Sequence, residues 1–168
     1  DGMPPLFESG AILIHLAEAH GRLLPRDPAQ RAETLAWLMV ALTSLGPMTG
    51  QAHHWTDLAP EKPEAARAHT VGLVERAYRL LEGRLTYQAH LAGADYSIAD
   101  IAAYPWIARH GWATLSLDEW PAIARWFASS MVRVIGFSAQ TSQPASRAAT
   151  FCRACQCGGV TTWQQSMA

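Results

Sequence analysis

Asp95-Tyr96-Ser97-Ile98-Ala99-Asp100-Ile101-Ala102-Ala103-Tyr104-Pro105-Trp106-Ile107 reads as the start and body of a buried helix. Ser97 stands where an N-cap belongs, and Asp100 three residues on can return a hydrogen bond to the Ser97 backbone N–H, a short-chained capping box. Tyr96 and Ile101 fall at the positions that form a hydrophobic staple across such a cap. Loss of the cap would cost about 0.5–2 kcal/mol. After Asp100 no charged side chain occurs until Arg109, so the helix is apolar on nearly every face, the pattern of a helix enclosed by others. Pro105 removes one backbone hydrogen bond from the helix body and predicts a kink. The fold class that follows is all-α.

The flanking sequence supplies the enclosing helices. Asp27-Pro28-Ala29-Gln30 combines an N-cap Asp, a Pro at the first helical position and a Gln at the third. Leu35, Leu38, Met39, Leu42 and Leu45 then recur along one helical face, and Gly46-Pro47 predicts an interruption. Pro60-Glu61-Lys62-Pro63 is a loop leading into the longest helix, whose stripe of Val71, Val74, Tyr78, Leu81 and Leu85 is core. Pro121 opens a further helix at its first turn. Trp112, Trp120 and Trp126 are costly to expose and are expected to close the bundle from outside. Ahead of all these, Pro4 and Pro5 mark the end of a strand or a loop. A short helix follows, with Ser9 as N-cap, Ile12, Leu13, Leu16 and Ala17 as apolar face and Gly21 as stop.

With 168 residues the chain has room for one domain, or one domain plus a fragment. Hydrophobic residues make up 49% and charged residues 16%, a surface poor enough in charge to suggest a partner. A formal net charge of −1 gives no electrostatic case for nucleic acid or an anionic membrane. No apolar run reaches transmembrane length and no signal-peptide pattern opens the sequence, so the expected location is the cytoplasm.

Chemistry first becomes possible at Glu8-Ser9. A serine hydroxyl and open N–H groups at a helix N-terminus suit a carboxylate, and a neighbouring Glu can accept from an ammonium group, so together they could hold the α-amino acid end of a ligand. The alternative is that Ser9 only caps the helix and Glu8 only complements its dipole. Adjacent His53 and His54 point about 100° apart on a helix and make a poor chelating pair; no metal site is expected there, and a surface or interface role is preferred.

Three segments carry a resemblance. Tyr96-Ser97-Ile98-Ala99-Asp100-Ile101-Ala102 with Tyr104-Pro105-Trp106 resembles the folding motif in the C-terminal helical domain of cytosolic glutathione transferases. Leu6-Phe7-Glu8-Ser9-Gly10-Ala11-Ile12-Leu13 resembles the last helix of that family's thioredoxin-like domain. Leu45-Gly46-Pro47-Met48-Thr49-Gly50-Gln51-Ala52-His53-His54-Trp55 is similar to a segment of the nu class, bacterial glutathione transferases with disulfide-bond reductase activity. The resemblance implies that Glu8 and Ser9 bind the γ-glutamyl end of glutathione as substrate, and that the protein acts as a cytosolic homodimer. It assigns no catalytic residue. Arg67 is the nearest match to an arginine that reaches glutathione across the dimer in the nu class, but it stands one position out of register and the role is not carried over.

The domain layout expected is a remnant of the α/β thioredoxin-like domain over residues 1–22, the helical domain with about five helices over 28–128, and an aperiodic, disordered tail over 129–168. The resemblance stops near Ser129, abruptly enough to fit a shifted reading frame as well as a designed tail. Cys152, Cys155 and Cys157 in that tail lack the context of a redox motif or a fourth zinc ligand. The family's thiol-activating N-terminal region has no counterpart here. The function implied is a glutathione-dependent transferase or disulfide-bond reductase when complete, inactive as this fragment. The alternative is a non-catalytic helical binding module or the product of a decayed gene.

Overall fold

The computed structural model describes the backbone of residues 5–139 and the side chains of residues 5–131. The chain divides into two units, Asp1–Ser130 and Met131–Ala168. The first holds α1 (Ser9–His20), α2 (Pro28–Val40), α3 (Gly46–His53), α4 (Glu64–Tyr87), α5 (Ile98–Ile107) and most of α6 (Pro121–Ala139). Of the second, only the end of α6 is described. Among the described residues there is no β-strand, only one isolated antiparallel bridge between His90 and Gly93. The architecture is all-α, as the sequence predicts.

No residue of α5 is exposed, so this helix is enclosed by its neighbours. Its capping box is present. The Ser97 N–H donates to Asp100 Oδ2 at 3.0 Å, and the Ser97 Oγ accepts from the Ala99 N–H at 3.3 Å. The first helical N–H, that of Ile98, is satisfied from far away by the Leu23 carbonyl at 3.0 Å. Leu23 holds a left-handed backbone with φ 66° to offer it. Asp100, completely buried, does more than cap. Its Oδ1 accepts from the Leu91 N–H at 3.0 Å and from the Trp126 Nε1–H at 2.8 Å. Trp126 is therefore not on the outside of the bundle as expected but at its centre, 1% exposed, because a buried carboxylate gives its indole N–H a partner. Trp112 and Trp120 are half-buried.

The interruption expected at Gly46-Pro47 is a π turn just ahead of it, not a break in the helical path. Residues 28–58 run as one continuous helical path with wide π turns at Ala41–Leu45 and His54–Leu58. The Gly46 N–H donates five residues back, to the Ala41 carbonyl. Pro47 has no N–H and its ring would crowd the Thr43 carbonyl in α geometry; a widened turn just before it absorbs that conflict. Gly46 also lets α5 approach, since a Cβ there would lie 2.9–3.1 Å from three atoms of the Trp106 indole.

Asp27 caps α2 by accepting from the Gln30 N–H at 2.9 Å, with Pro28 at the first turn. On α4, Val74, Tyr78, Leu81 and Leu85 are buried and Val71 is half-buried, the predicted core stripe. Glu82 on α4 caps α6 across the bundle, its two oxygens accepting from the Ala122 and Ile123 N–H groups at 2.9 Å each. Arg84 ties α4 to α2 and to the loop before α5: it donates to Glu33 at 2.6 Å and to the Leu91 carbonyl at 2.8 Å while lying over Trp37. α6 continues to Ala139, past the boundary drawn at residue 129. The rest of the expected disordered tail, with Cys152, Cys155 and Cys157, lies outside the described residues. No helix among the described residues is long and apolar enough to cross a membrane.

Candidate functional site at the start of α1

Glu8 occupies the N-cap position of α1 and Ser9 its first helical position, one step further into the helix than the sequence places them. The reason lies in the backbone. Glu8 has φ 68° and ψ 122°, outside the helical region and rare for any residue with a Cβ, so it takes the N-cap position and the helix begins at Ser9, one residue earlier than expected. Such a conformation costs about 1–3 kcal/mol and persists only where the surroundings impose it. The first turn closes with the Ile12 N–H donating to the Glu8 carbonyl at 3.0 Å. No side chain caps the helix and its first turn holds no acid, so the N–H groups of Ser9, Gly10 and Ala11, at the positive end of the dipole, have no acceptor within the helix. Glu8 and Ser9 are both exposed. The structure thus brings the two predicted site residues together at one open helix start, where an ammonium and a carboxylate group of one ligand could be held side by side.

The helix beneath this site has two apolar faces. Gly10 and Ala17 are buried and Leu13 and Ile14 pack against the core, whereas Leu6, Phe7, Ile12 and Leu16 are exposed, Phe7 by 76%. The expected single face of Ile12, Leu13, Leu16 and Ala17 is therefore split between bundle and solvent. Gly10 sits so tightly on the side chain of Leu42 that a Cβ would overlap the leucine Cδ1. Sequence reasoning missed the strained backbone of Glu8, for which a non-glycine residue gives no signal, and missed Leu42; Gly10 itself was the available sign of a close approach.

The other flagged residues do not join this site. His53 stacks on Trp112 with ring centroids 4.0 Å apart and planes 6° from parallel, and its Nε2 lies 3.6 Å from the Asp57 carboxylate. Arg109 lies over the same indole and donates to the Pro105 carbonyl at 2.8 Å. His54 is exposed and meets Trp55 edge-on, so the adjacent histidines diverge. No cluster of three or more His, Cys, Asp or Glu that could hold a metal occurs among the described residues. Arg67 makes a two-pronged bond to Glu64 at 2.7 and 2.9 Å on the surface. That pairing lowers the Glu64 carboxyl below its ordinary range and raises the Arg67 guanidinium.

Residues 35–133 match the family model described as glutathione S-transferase, C-terminal domain. The chain belongs to the glutathione S-transferase family. Among its relatives, the Escherichia coli disulfide-bond oxidoreductase YfcG is 43% identical over 129 residues, which is 75% of this chain and 60% of YfcG. The Escherichia coli disulfide-bond oxidoreductase YghU is 38% identical over 105 residues, 61% of this chain and 36% of YghU. A Burkholderia graminis glutathione transferase, crystallised with two glutathione molecules per subunit, superimposes with a TM-score of 0.71 at 36% identity, over 77% of this chain and 56% of that one. A Pseudomonas putida glutathione transferase with one glutathione disulfide per subunit gives 0.70 at 36% identity, over 75% and 57%. The chain thus spans under two thirds of the length of each of these relatives. Within the glutathione S-transferase chain, Glu8 and Ser9 lie ahead of the residues that the family model matches.

Proposed function

We propose that the start of α1 is the γ-glutamyl subsite of a glutathione site, serving a glutathione-dependent disulfide reductase or transferase. The ligand carboxylate lies on the Ser9 hydroxyl and the open N–H groups behind it, and the ligand ammonium lies on the Glu8 carboxylate. The observation that carries this is the backbone of Glu8. A residue held at φ 68° immediately before an uncapped helix start is strain placed where recognition needs it. The similarity to disulfide-bond oxidoreductases and to glutathione-bound transferases supports the choice of ligand and reaction class. We propose further that the protein works as a homodimer in the cytoplasm, in keeping with its weakly charged composition and its family.

This reading names residues for binding and none for activating the glutathione thiol, which near its ordinary pKa is mostly protonated at neutral pH. The 168-residue chain by itself is therefore expected to bind glutathione without turning it over. Calorimetric titration of reduced glutathione, with Glu8→Ala as the paired variant, tests the reading. Saturable uptake that Glu8→Ala weakens by about tenfold, the worth of one charge-assisted contact, supports it. No uptake by a chain whose circular dichroism is helical would instead favour a non-catalytic helical binding module.

A further inference from the structure

We infer that Leu42, which lies in the π turn Ala41–Leu45 far along the chain from the proposed cradle, is the positioning residue that sets it. The inference rests on the glutathione reading above. The Leu42 side chain seats against Gly10, the second residue of α1, so closely that no Cβ would fit between them without a shift. Gly10 is buried while Glu8 and Ser9 beside it are exposed. It is thus the point at which the cradle's own backbone touches the bundle. The outer side of α1 and the stretch before it give no such support, since Ile12 and Leu16 on the helix and Leu6 and Phe7 ahead of it are exposed. The other ties of this segment lie farther along it, where Leu13, Ile14 and Ala17 pack on the core, Glu18 pairs with Arg31 and the Leu23 carbonyl meets the Ile98 N–H. The π turn that bypasses Pro47 therefore has a second consequence: it carries the leucine that the Gly10 notch receives. Leu42 touches no ligand; it holds the Gly10 and Ser9 N–H groups in place, and binding through fixed donors is lost when they drift by an ångström or less.

The test is a mutant cycle on the 168-residue chain, read by calorimetric titration of reduced glutathione well below the thermal midpoint of every variant. Leu42→Ala is expected to weaken binding by about tenfold, while Leu42→Met, close in volume, stays within about threefold of the parent. Leu42→Val, which shortens the side chain without emptying the notch, gives a smaller loss in the same direction and serves if Leu42→Ala does not fold. Gly10→Ala alone weakens binding by displacing the leucine. Gly10→Ala with Leu42→Ala binds better than Leu42→Ala alone, because the new methyl fills the vacated space. Parent-like affinity in Leu42→Ala and Leu42→Val, or losses at the two sites that simply add, would overturn the positioning role while leaving the cradle. A parent chain that takes up no glutathione would overturn the cradle and its positioning together.

Discussion

Asp100→Ala should destabilise this protein far more than a lost helix cap can. The carboxylate accepts four hydrogen bonds, from Leu91 N, Ser97 N, Ser97 Oγ and Trp126 Nε1, at 3.0, 3.0, 3.1 and 2.8 Å. Every partner is buried, with Asp100 itself at 0% exposure, Leu91 and Trp126 at 1% and Ser97 at 3%. The serine hydroxyl can turn to another acceptor. The three N–H donors are fixed, and each left unpaired in a dry site costs about 1–3 kcal/mol, so the sum is roughly 3–9 kcal/mol. Set against a total stability of about 5–15 kcal/mol, that leaves a chain at or near the threshold of folding. Ser97→Ala provides the scale, because losing the cap alone costs about 0.5–2 kcal/mol. Asp100→Asn should fall between them. Its amide oxygen can serve Leu91 and Trp126 together, but its NH₂ then faces the Ser97 N–H. Urea unfolding followed by circular dichroism and tryptophan fluorescence would measure all three. A loss in Asp100→Ala no larger than that in Ser97→Ala would refute the reasoning, for it would mean that the bonds to Trp126 and Leu91 contribute nothing.

Three further outcomes are expected. Glu82→Ala should cost about 1–2 kcal/mol in urea unfolding, since it strips a two-pronged charged cap from the start of α6. Gly46→Ala should cost about 1–3 kcal/mol by driving a methyl into the Trp106 ring; Gly46→Ala with Trp106→Phe should recover part of the thermal midpoint if that clash is the cause. Tyr78→Phe should be neutral or stabilising by about 1 kcal/mol at neutral pH, because the buried Tyr78 hydroxyl has no hydrogen-bond partner among the described residues. Burial pushes the Tyr78 phenol well above its ordinary value. Its folded pKa is raised, so the stability it contributes is complete below the unfolded value of about 10 and is lost as the pH rises beyond it. The parent chain should therefore weaken above about pH 10 in thermal scans, and Tyr78→Phe should lose less there.

The fold was legible where local chemistry and burial agree. Ser97 and Asp100 announced α5, Asp27 and Pro28 announced α2, and the stripe on α4 proved to be core, because caps and apolar periodicity are written in neighbouring residues. What escaped were effects of residues distant in sequence. Gly46-Pro47 reads as an interruption, and the interruption takes the form of a π turn upstream that keeps the helical path continuous, a form that nothing in residue type marks. Trp126 reads as an outer lid until Asp100 is seen to accept its N–H, a bond across 26 residues. Glu82, an unremarkable charge in the middle of α4, is the N-terminal cap of another helix. At the candidate site, Glu8 and Ser9 stood out by residue type and by resemblance, but the positive φ of Glu8 has no mark in its residue type.

The same division separates what holds the molecule together from what it would recognise. Asp100, Trp126, Glu82 and Arg84 join α4, α5, α6 and the loop before α5 through bonds that are buried or half-buried. The proposed cradle lies at the other extreme, on exposed residues at the start of a helix whose outer apolar side chains face solvent. A site so placed draws its rigidity from the bundle through few contacts, and the energy stored at Glu8 has to be balanced by those same contacts. Stability and recognition should therefore respond to different substitutions. Changes around Asp100 should unfold the chain with the cradle still intact in whatever fraction stays native. Changes at Glu8 should weaken ligand binding by about tenfold and, by relieving strain if Gly takes its place, leave the bundle as stable as before or more so.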